Sequence, residues 1–182
     1  MHKLLLFFLV LTGSVSYSQQ FEGQNFCEAT KDASYFPLAI TKKKILWKNT
    51  FYFETQHATK TINGKNYIAF QQEWKEGNSD LLYLREENGI VYQYDDCCEV
   101  ETIRYNPQFT IGHTWKTADQ TREYKVIAYD GKLRTPFCDY QNLLVIEAKM
   151  DYGHYNFYYL KGHGYIGATQ NGQLISCVTP KW

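Results

Sequence analysis

The densest set of groups able to ligate or catalyse runs Asp95-Asp96-Cys97-Cys98-Glu99-Val100-Glu101. Carboxylate oxygens suit calcium, and thiolates beside carboxylates suit a softer metal. The spacing is neither that of an EF-hand loop nor that of a zinc ribbon, and acids at a strand end are ordinary solvated turn residues. If the segment is a strand, Glu99 and Glu101 share one face and offer a carboxylate pair of the kind glycoside hydrolysis uses. Hydrolase pairs sit on separate strands across a cleft, so this pair is not assigned a catalytic role.

A second string, Gly162-His163-Gly164-Tyr165-Ile166-Gly167, matches G-x-G-x-x-G letter for letter. In a dinucleotide-binding unit those glycines admit pyrophosphate at a helix N-terminus, with a ribose-binding acid further on. Here the chain soon reaches Asn171-Gly172, a turn, and then another strand-like run, which leaves no room for that helix. The glycines are expected to form a tight bend or bulge instead. No nucleotide or other cofactor is implied.

The histidines beyond the first segment, His57, His113, His154 and His163, are scattered, without the i,i+4 pair of a helical zinc protease. No G-x-S-x-G elbow is present, and no cysteine has a histidine at a recognisable nucleophile–base spacing. Neither a metal site nor a catalytic residue is assigned from these patterns. The aromatic run Tyr152, Tyr155, Phe157, Tyr158 and Tyr159 is different in kind. One strand face of it must be core; the other either walls a pocket for an apolar or glycan ligand, since aromatic rings stack on sugars and line apolar cavities, or is covered by a second sheet.

The elements that would carry these residues are strands. Residues 45–53 place Ile45, Trp47, Phe51 and Phe53 on one face of a single alternating strand, with Lys48 and Thr50 on the other. Asn63-Gly64 signals a hairpin, and further turns are expected at 76–78, Asn88-Gly89, Asp130-Gly131, 151–153 and Asn171-Gly172. About ten short strands result, the pattern of an all-β antiparallel domain. A curved sheet, half-barrel or barrel is expected, with a two-sheet β-sandwich as the alternative. The 16 tyrosines and 11 phenylalanines suit a pleated, half-buried surface. Helix is expected to be scarce, confined to a short turn within 27–34.

Location reads from the start of the chain. Met1-His2-Lys3, the apolar run 4–11 and the small, polar stretch 12–18 follow the order of a secretory signal peptide, with cleavage before Gln19. The apolar run is far short of the roughly 20 residues that span a bilayer. The expected organisation is a signal peptide over 1–18 and one β-rich domain over 19–182, with 19–34 as an irregular or short helical lead-in. Such a domain would be soluble after signal removal, and periplasmic or extracellular. In that setting Cys27, Cys97, Cys98, Cys138 and Cys177 read as disulfide candidates, with an odd one left over. On a strand, Cys97 and Cys98 would point to opposite faces and seek different partners; a bridge between the two neighbours is the strained alternative. With 19 Lys+Arg against 19 Asp+Glu, the basic excess that nucleic acid demands is missing.

Several strings recur in a familiar order. Tyr35-Phe36-Pro37-Leu38 precedes an aromatic first strand, and Gly64-Lys65-x-Tyr67 and Tyr83-Leu84-Arg85-Glu86-Glu87-Asn88-Gly89-x-Val91-Tyr92 follow. Then come Phe109-Thr110-Ile111-Gly112-His113-Thr114-Trp115 and Tyr159-x-Lys161-Gly162-x-Gly164-Tyr165-Ile166. This order resembles a loose group of exported bacterial β-rich proteins, many of them lipoproteins, over nearly all of 19–182. Their last motif tends to read Lys-Gly-Val-Gly-Leu-Val, so His163 takes a position that is usually apolar. The resemblance implies a curved antiparallel sheet or half-barrel and carries over no catalytic residue. This chain departs from it in lacking a lipid-anchor cysteine. Taken together, the residues favour an exported binding or envelope-associated protein without catalysis. A hydrolase using carboxylates or a histidine cluster, and a purely structural interaction protein of the envelope, are the alternatives.

Overall fold

Asparagine followed by glycine turns this chain back on itself. At Asn63-Gly64 both residues take positive φ, 49° and 75°. That is the backbone a two-residue hairpin needs to match the twist of its strands, and Asn88-Gly89 and Asn171-Gly172 repeat it. In the computed structural model, which describes residues 26–39, 42–150 and 153–181, these turns separate strands of one antiparallel sheet.

The strands are β1 (Lys42–Trp47), β2 (Thr50–Ile62), β3 (Lys65–Trp74), β4 (Ser79–Glu87), β5 (Ile90–Asp95) and β6 (Val100–Tyr105). The second half holds β7 (Thr114–Lys116), β8 (Glu123–Arg134), β9 (Asp139–Met150), β10 (Gly153–Leu160), β11 (Gly164–Gln170) and β12 (Gln173–Thr179). Their order in the sheet is β6-β5-β4-β3-β2-β1-β12-β11-β10-β9-β8-β7. Every neighbour but β1–β12 is consecutive in sequence, and the two edges, β6 and β7, are themselves consecutive. The sheet therefore starts in the middle, grows to one edge, crosses the seam and returns.

One ring shows that the sheet is curved. Phe36 stacks on Tyr105 of β6 at 4.8 Å and on Tyr159 of β10 at 4.3 Å. At ~4.8 Å per strand a flat sheet would hold those two strands roughly 38 Å apart. Only a sheet rolled into a half-barrel lets a single phenylalanine touch both. Around Phe36 lie Tyr35, Phe70, Leu84, Val91, Val126, Leu144 and Ile146, so the lead-in plugs one end of the roll. A second cluster joins Phe26, Leu133, Cys138, Tyr140, Leu143 and Val145. Among the described residues no helix forms; 27–34 is a string of turns held by Thr30 N–H to Lys161 O (3.0 Å) and Gly162 N–H to Ser34 O (2.8 Å).

Several local expectations are corrected. Residues 45–53 are two strands, because Lys48 takes φ 49° and breaks the run. The turn reverses the faces: Ile45 and Trp47 pair with Tyr52 and Thr50, while Phe51 and Phe53 lie on the opposite side under Lys44. Asp130-Gly131 is no turn; β8 runs through it with register shifts. Cys97, Cys98 and Glu99 lie in the β5–β6 turn, with Glu99 at φ 52°, so the opposite-face argument for the two thiols does not apply.

The glycine-rich string is a bend and bulge. The β10–β11 register slips between Tyr158 and Tyr159, and Gly162 and Gly164 take positive φ. Gly167 answers to crowding instead: a Cβ there would meet Ser176 O at 2.7 Å and Leu133 Cδ2 at 2.9 Å. The bare backbone is what lets the β8–β9 hairpin settle on β11.

Candidate functional site: a cavity inside the half-barrel

Along a strand, side chains alternate between the two sides of the roll. On β10 this sends Tyr155, Phe157 and Tyr159 inward, and sends Tyr158 outward, where its hydroxyl meets Thr169 Oγ1 at 3.3 Å. Of the sequence-selected aromatic residues, Tyr155, Phe157 and Tyr159 therefore share one surface, Tyr158 belongs to the other face, and Tyr152 lies outside the described residues.

That surface bounds a cavity of about 560 Å³ at the end of the roll opposite the plug. Its aromatic wall is completed by Trp47, Tyr52, Trp74, Tyr124 and Tyr165, drawn from β1, β2, β3, β8 and β11. Tyr52 and Trp74 pack at 4.6 Å, and Tyr155 and Phe157 stack at 6.3 Å. The Tyr165 hydroxyl donates to Ser176 Oγ at 2.7 Å, which fixes the ring. Burial raises the pKa of Tyr52 and Tyr165 well above the usual phenol value and that of Tyr159 to about 12, so these walls stay neutral.

The charges of the cavity are few and placed. Lys48, Arg122 and Asp80 belong to its lining, as does Arg104 on β6, which also lines three smaller recesses. Arg104 Nη1 donates to Gln93 Oε1 at 2.9 Å. Burial by itself would lower the Arg104 pKa, but Tyr159, Tyr124, Glu54 and Asp95 raise it on balance, so the guanidinium keeps its charge. Asp80 accepts from Trp74 Nε1 at 3.3 Å, and Glu54 accepts from Gln72 Nε2 at 2.8 Å.

Behind Tyr165 a recess of about 80 Å³ contains Lys43, Glu54, Pro37 and Leu38. Lys43 is only 5% exposed. Its Nζ donates to His163 O and to Tyr165 O, tying β1 to the β10–β11 bend. Burial pulls its pKa down to about 8, against the opposing pull of Glu54. The unusual histidine of the Lys-Gly-x-Gly motif thus provides a carbonyl for a buried lysine. Its ring Nε2 lies 2.9 Å from Glu28 O, and burial lowers its pKa.

The acidic cluster goes elsewhere. Glu101 accepts from Arg85 Nε and Nη2 at 2.6 and 2.7 Å, from Lys65 at 2.9 Å and from the Tyr67 hydroxyl. The Arg85 hydrogen bonds hold the Glu101 pKa down to about 2. Tyr67, Ala69 and Tyr83 form a small core beside this network, away from the cavity. Among the described residues no three His, Cys, Asp or Glu groups converge as a metal site would require. Cys27 is bridged to Cys138 across 111 residues, Cys97 and Cys98 form a vicinal disulfide, and Cys177 is free and buried.

Sequence reasoning found the β10 wall and missed Arg104, Trp74, Tyr52 and Tyr165. A signal for Arg104 existed: the alternation in 100–105 puts Thr102 and Arg104 on the same face, opposite Glu101 and Ile103. Which face is interior depends on how the whole sheet rolls.

Fold and cavity together define an open, 12-stranded antiparallel half-barrel with an aromatic chamber at one end. No family model, curated protein or solved structure matches the chain.

Proposed function

We propose that this chain is an exported, non-catalytic binding protein that holds a small ligand in the aromatic cavity of its half-barrel. The observation that carries the reading is the cavity itself. About 560 Å³ lies within the range of small-molecule sites, and its walls are mostly aromatic with a few placed polar groups. The carboxylates near the chamber argue against hydrolysis, since Glu54 is engaged by Gln72, Asp95 by Gln93 and Thr102, and the exposed Asp80 by Trp74. Export is supported by the leader-like residues 1–18 and by the Cys27–Cys138 bridge, because disulfides persist in oxidising compartments.

The test is titration with N-phenyl-1-naphthylamine, a neutral aromatic probe that fluoresces when taken out of water. Saturable binding at one site per chain is expected, weakened roughly tenfold or more by Trp74→Ala, which strips a wall of the chamber. A linear, unsaturable signal in the wild type would end the cavity-binding reading.

A further inference from the structure

An arginine enclosed inside a protein is normally paired with a carboxylate. Arg104 is not: none of the ion pairs among the described residues includes it. The acids whose charge acts on it, Glu54 and Asp95, already have partners. Glu54 accepts from Gln72 and faces Lys43 across the β1–β2 ladder. Asp95 accepts from Gln93 Nε2 at 2.5 Å and from Thr102 at 3.1 Å. Gln93 is held by Asp95 through its amide nitrogen, so its oxygen is turned to Arg104. That fixes one side of the guanidinium; the Tyr159 hydroxyl also hydrogen-bonds it, and neither partner is an anion, at a position lining the chamber. At the exposed mouth of the chamber the cations Lys48 and Arg122 outnumber the lining acid Asp80.

We propose that the cavity takes a carboxylate-bearing small molecule, its carboxylate received by Arg104 and its flat apolar body laid between Trp74, Phe157 and Tyr155. The assignment rests on the binding reading above and names the class of ligand. Guanidinium matches carboxylate two donors to two acceptors. The low dielectric around it strengthens the pairing and makes an unpaired anion elsewhere in the chamber unfavourable. An acidic sugar and a fatty or aromatic acid both present this chemistry.

The experiment compares 1-pyrenebutyrate with 1-pyrenebutanol, the same ring body with and without the carboxylate. The wild type is expected to bind the acid at least tenfold more tightly. Arg104→Gln should lose roughly tenfold to a hundredfold in affinity for the acid while its affinity for the alcohol stays within about twofold. The alcohol serves as the folding control, and the wild-type ratio is read without any variant. Equal binding of both by the wild type would overturn the anion assignment and leave cavity binding standing; binding of neither would remove both. Palmitate, trigalacturonate and 1-naphthoate then compete against the acid. Of the first two, the one that displaces at lower concentration identifies the source as lipid or glycan; displacement by 1-naphthoate alone identifies an aromatic acid, and failure of all three overturns the proposal.

Discussion

Severing Cys27 from Cys138 tests the part of the structure on which the closed end of the half-barrel depends. The bridge spans a sequence separation of 111 residues. Chain-entropy reasoning assigns a loop of that length about 5 kcal/mol, all of it through the freedom denied to the unfolded chain, and native bridges commonly return somewhat less. Cys27→Ala with Cys138→Ala is therefore expected to lower the unfolding free energy by about 3–5 kcal/mol in urea titration at neutral pH. The folded state itself should change little. Phe26, Tyr35 and Phe36 are 3, 7 and 8% exposed, and Phe36 is gripped between Tyr105 and Tyr159. Backbone bonds from Thr30 and Gly162 add to that hold. Near-ultraviolet dichroism, dominated by these stacked rings, should then be unchanged without denaturant. A loss below about 1 kcal/mol would refute the tether, since the chain entropy for a loop of this length is several-fold larger. A collapse of the near-ultraviolet signal with the far-ultraviolet strand signal intact would refute the second half of the reasoning. It would show that the bridge, not the aromatic packing, holds the plug.

Two further outcomes follow from buried polar atoms. Among the described residues the Tyr140 hydroxyl is the buried side-chain oxygen without a hydrogen-bond partner, so Tyr140→Phe should raise stability by about 1 kcal/mol; a loss of that size would mean the hydroxyl is bonded. Lys43, with its pKa near 8 in the fold and near 10.5 unfolded, binds fewer protons folded than unfolded between those values. The Lys43 contribution, read as wild type minus Lys43→Met, should therefore rise from pH 8 to pH 10 by on the order of 2–3 kcal/mol. The buried Cys177 thiol, its pKa raised, opposes it in the same window. Above pH 10 the buried Tyr105 and Tyr159, raised to about 12, oppose it. Their contribution is complete below the phenol's ordinary value and is lost as pH rises towards 12. A difference between wild type and Lys43→Met that stays flat from pH 8 to 10 would refute the assignment.

What could be read from the sequence divides along the range of the forces involved. Alternation and Asn-Gly turns are local, so the all-β class and hairpins such as Asn63-Gly64 were legible. The absence of room for a helix after Gly167 was equally local, and it identified that string as a bend. Errors came where one residue's backbone overrode a pattern. Lys48 in the left-handed region cut a convincing strand in two and exchanged the faces of Phe51 and Phe53. Bulges carried β8 straight through Asp130-Gly131, a pair that normally turns. The site was harder for a further reason. Trp74, Arg104, Tyr124 and Tyr159 are far apart in sequence and meet only because the sheet rolls, and no local pattern encodes the radius of that roll.

The open seam and the chamber are two consequences of that same roll. The edges β6 and β7 have no ladder between them among the described residues, and side chains span the gap: Arg104 and Thr102 from one edge, Trp115 and Thr117 from the other side. A sheet closed there by backbone bonds would have fixed its own bore. Instead, Phe36 joins β6 to β10 through stacked rings, and the bore is set by what the lead-in inserts. The interior is thereby divided into a packed end and an open end, with Arg104, Tyr159 and Tyr165 at the boundary. The boundary aromatics Tyr159 and Tyr165 serve packing and chamber alike, so substitutions of these two rings must change stability and ligand affinity together, whereas Arg104 bears on the charged end of the ligand. Trp47 and Trp74, at the open end, are partly exposed, and their loss should fall mainly on the ligand. Among the described residues Arg104, an interior guanidinium outside any ion pair, lies where the two demands meet.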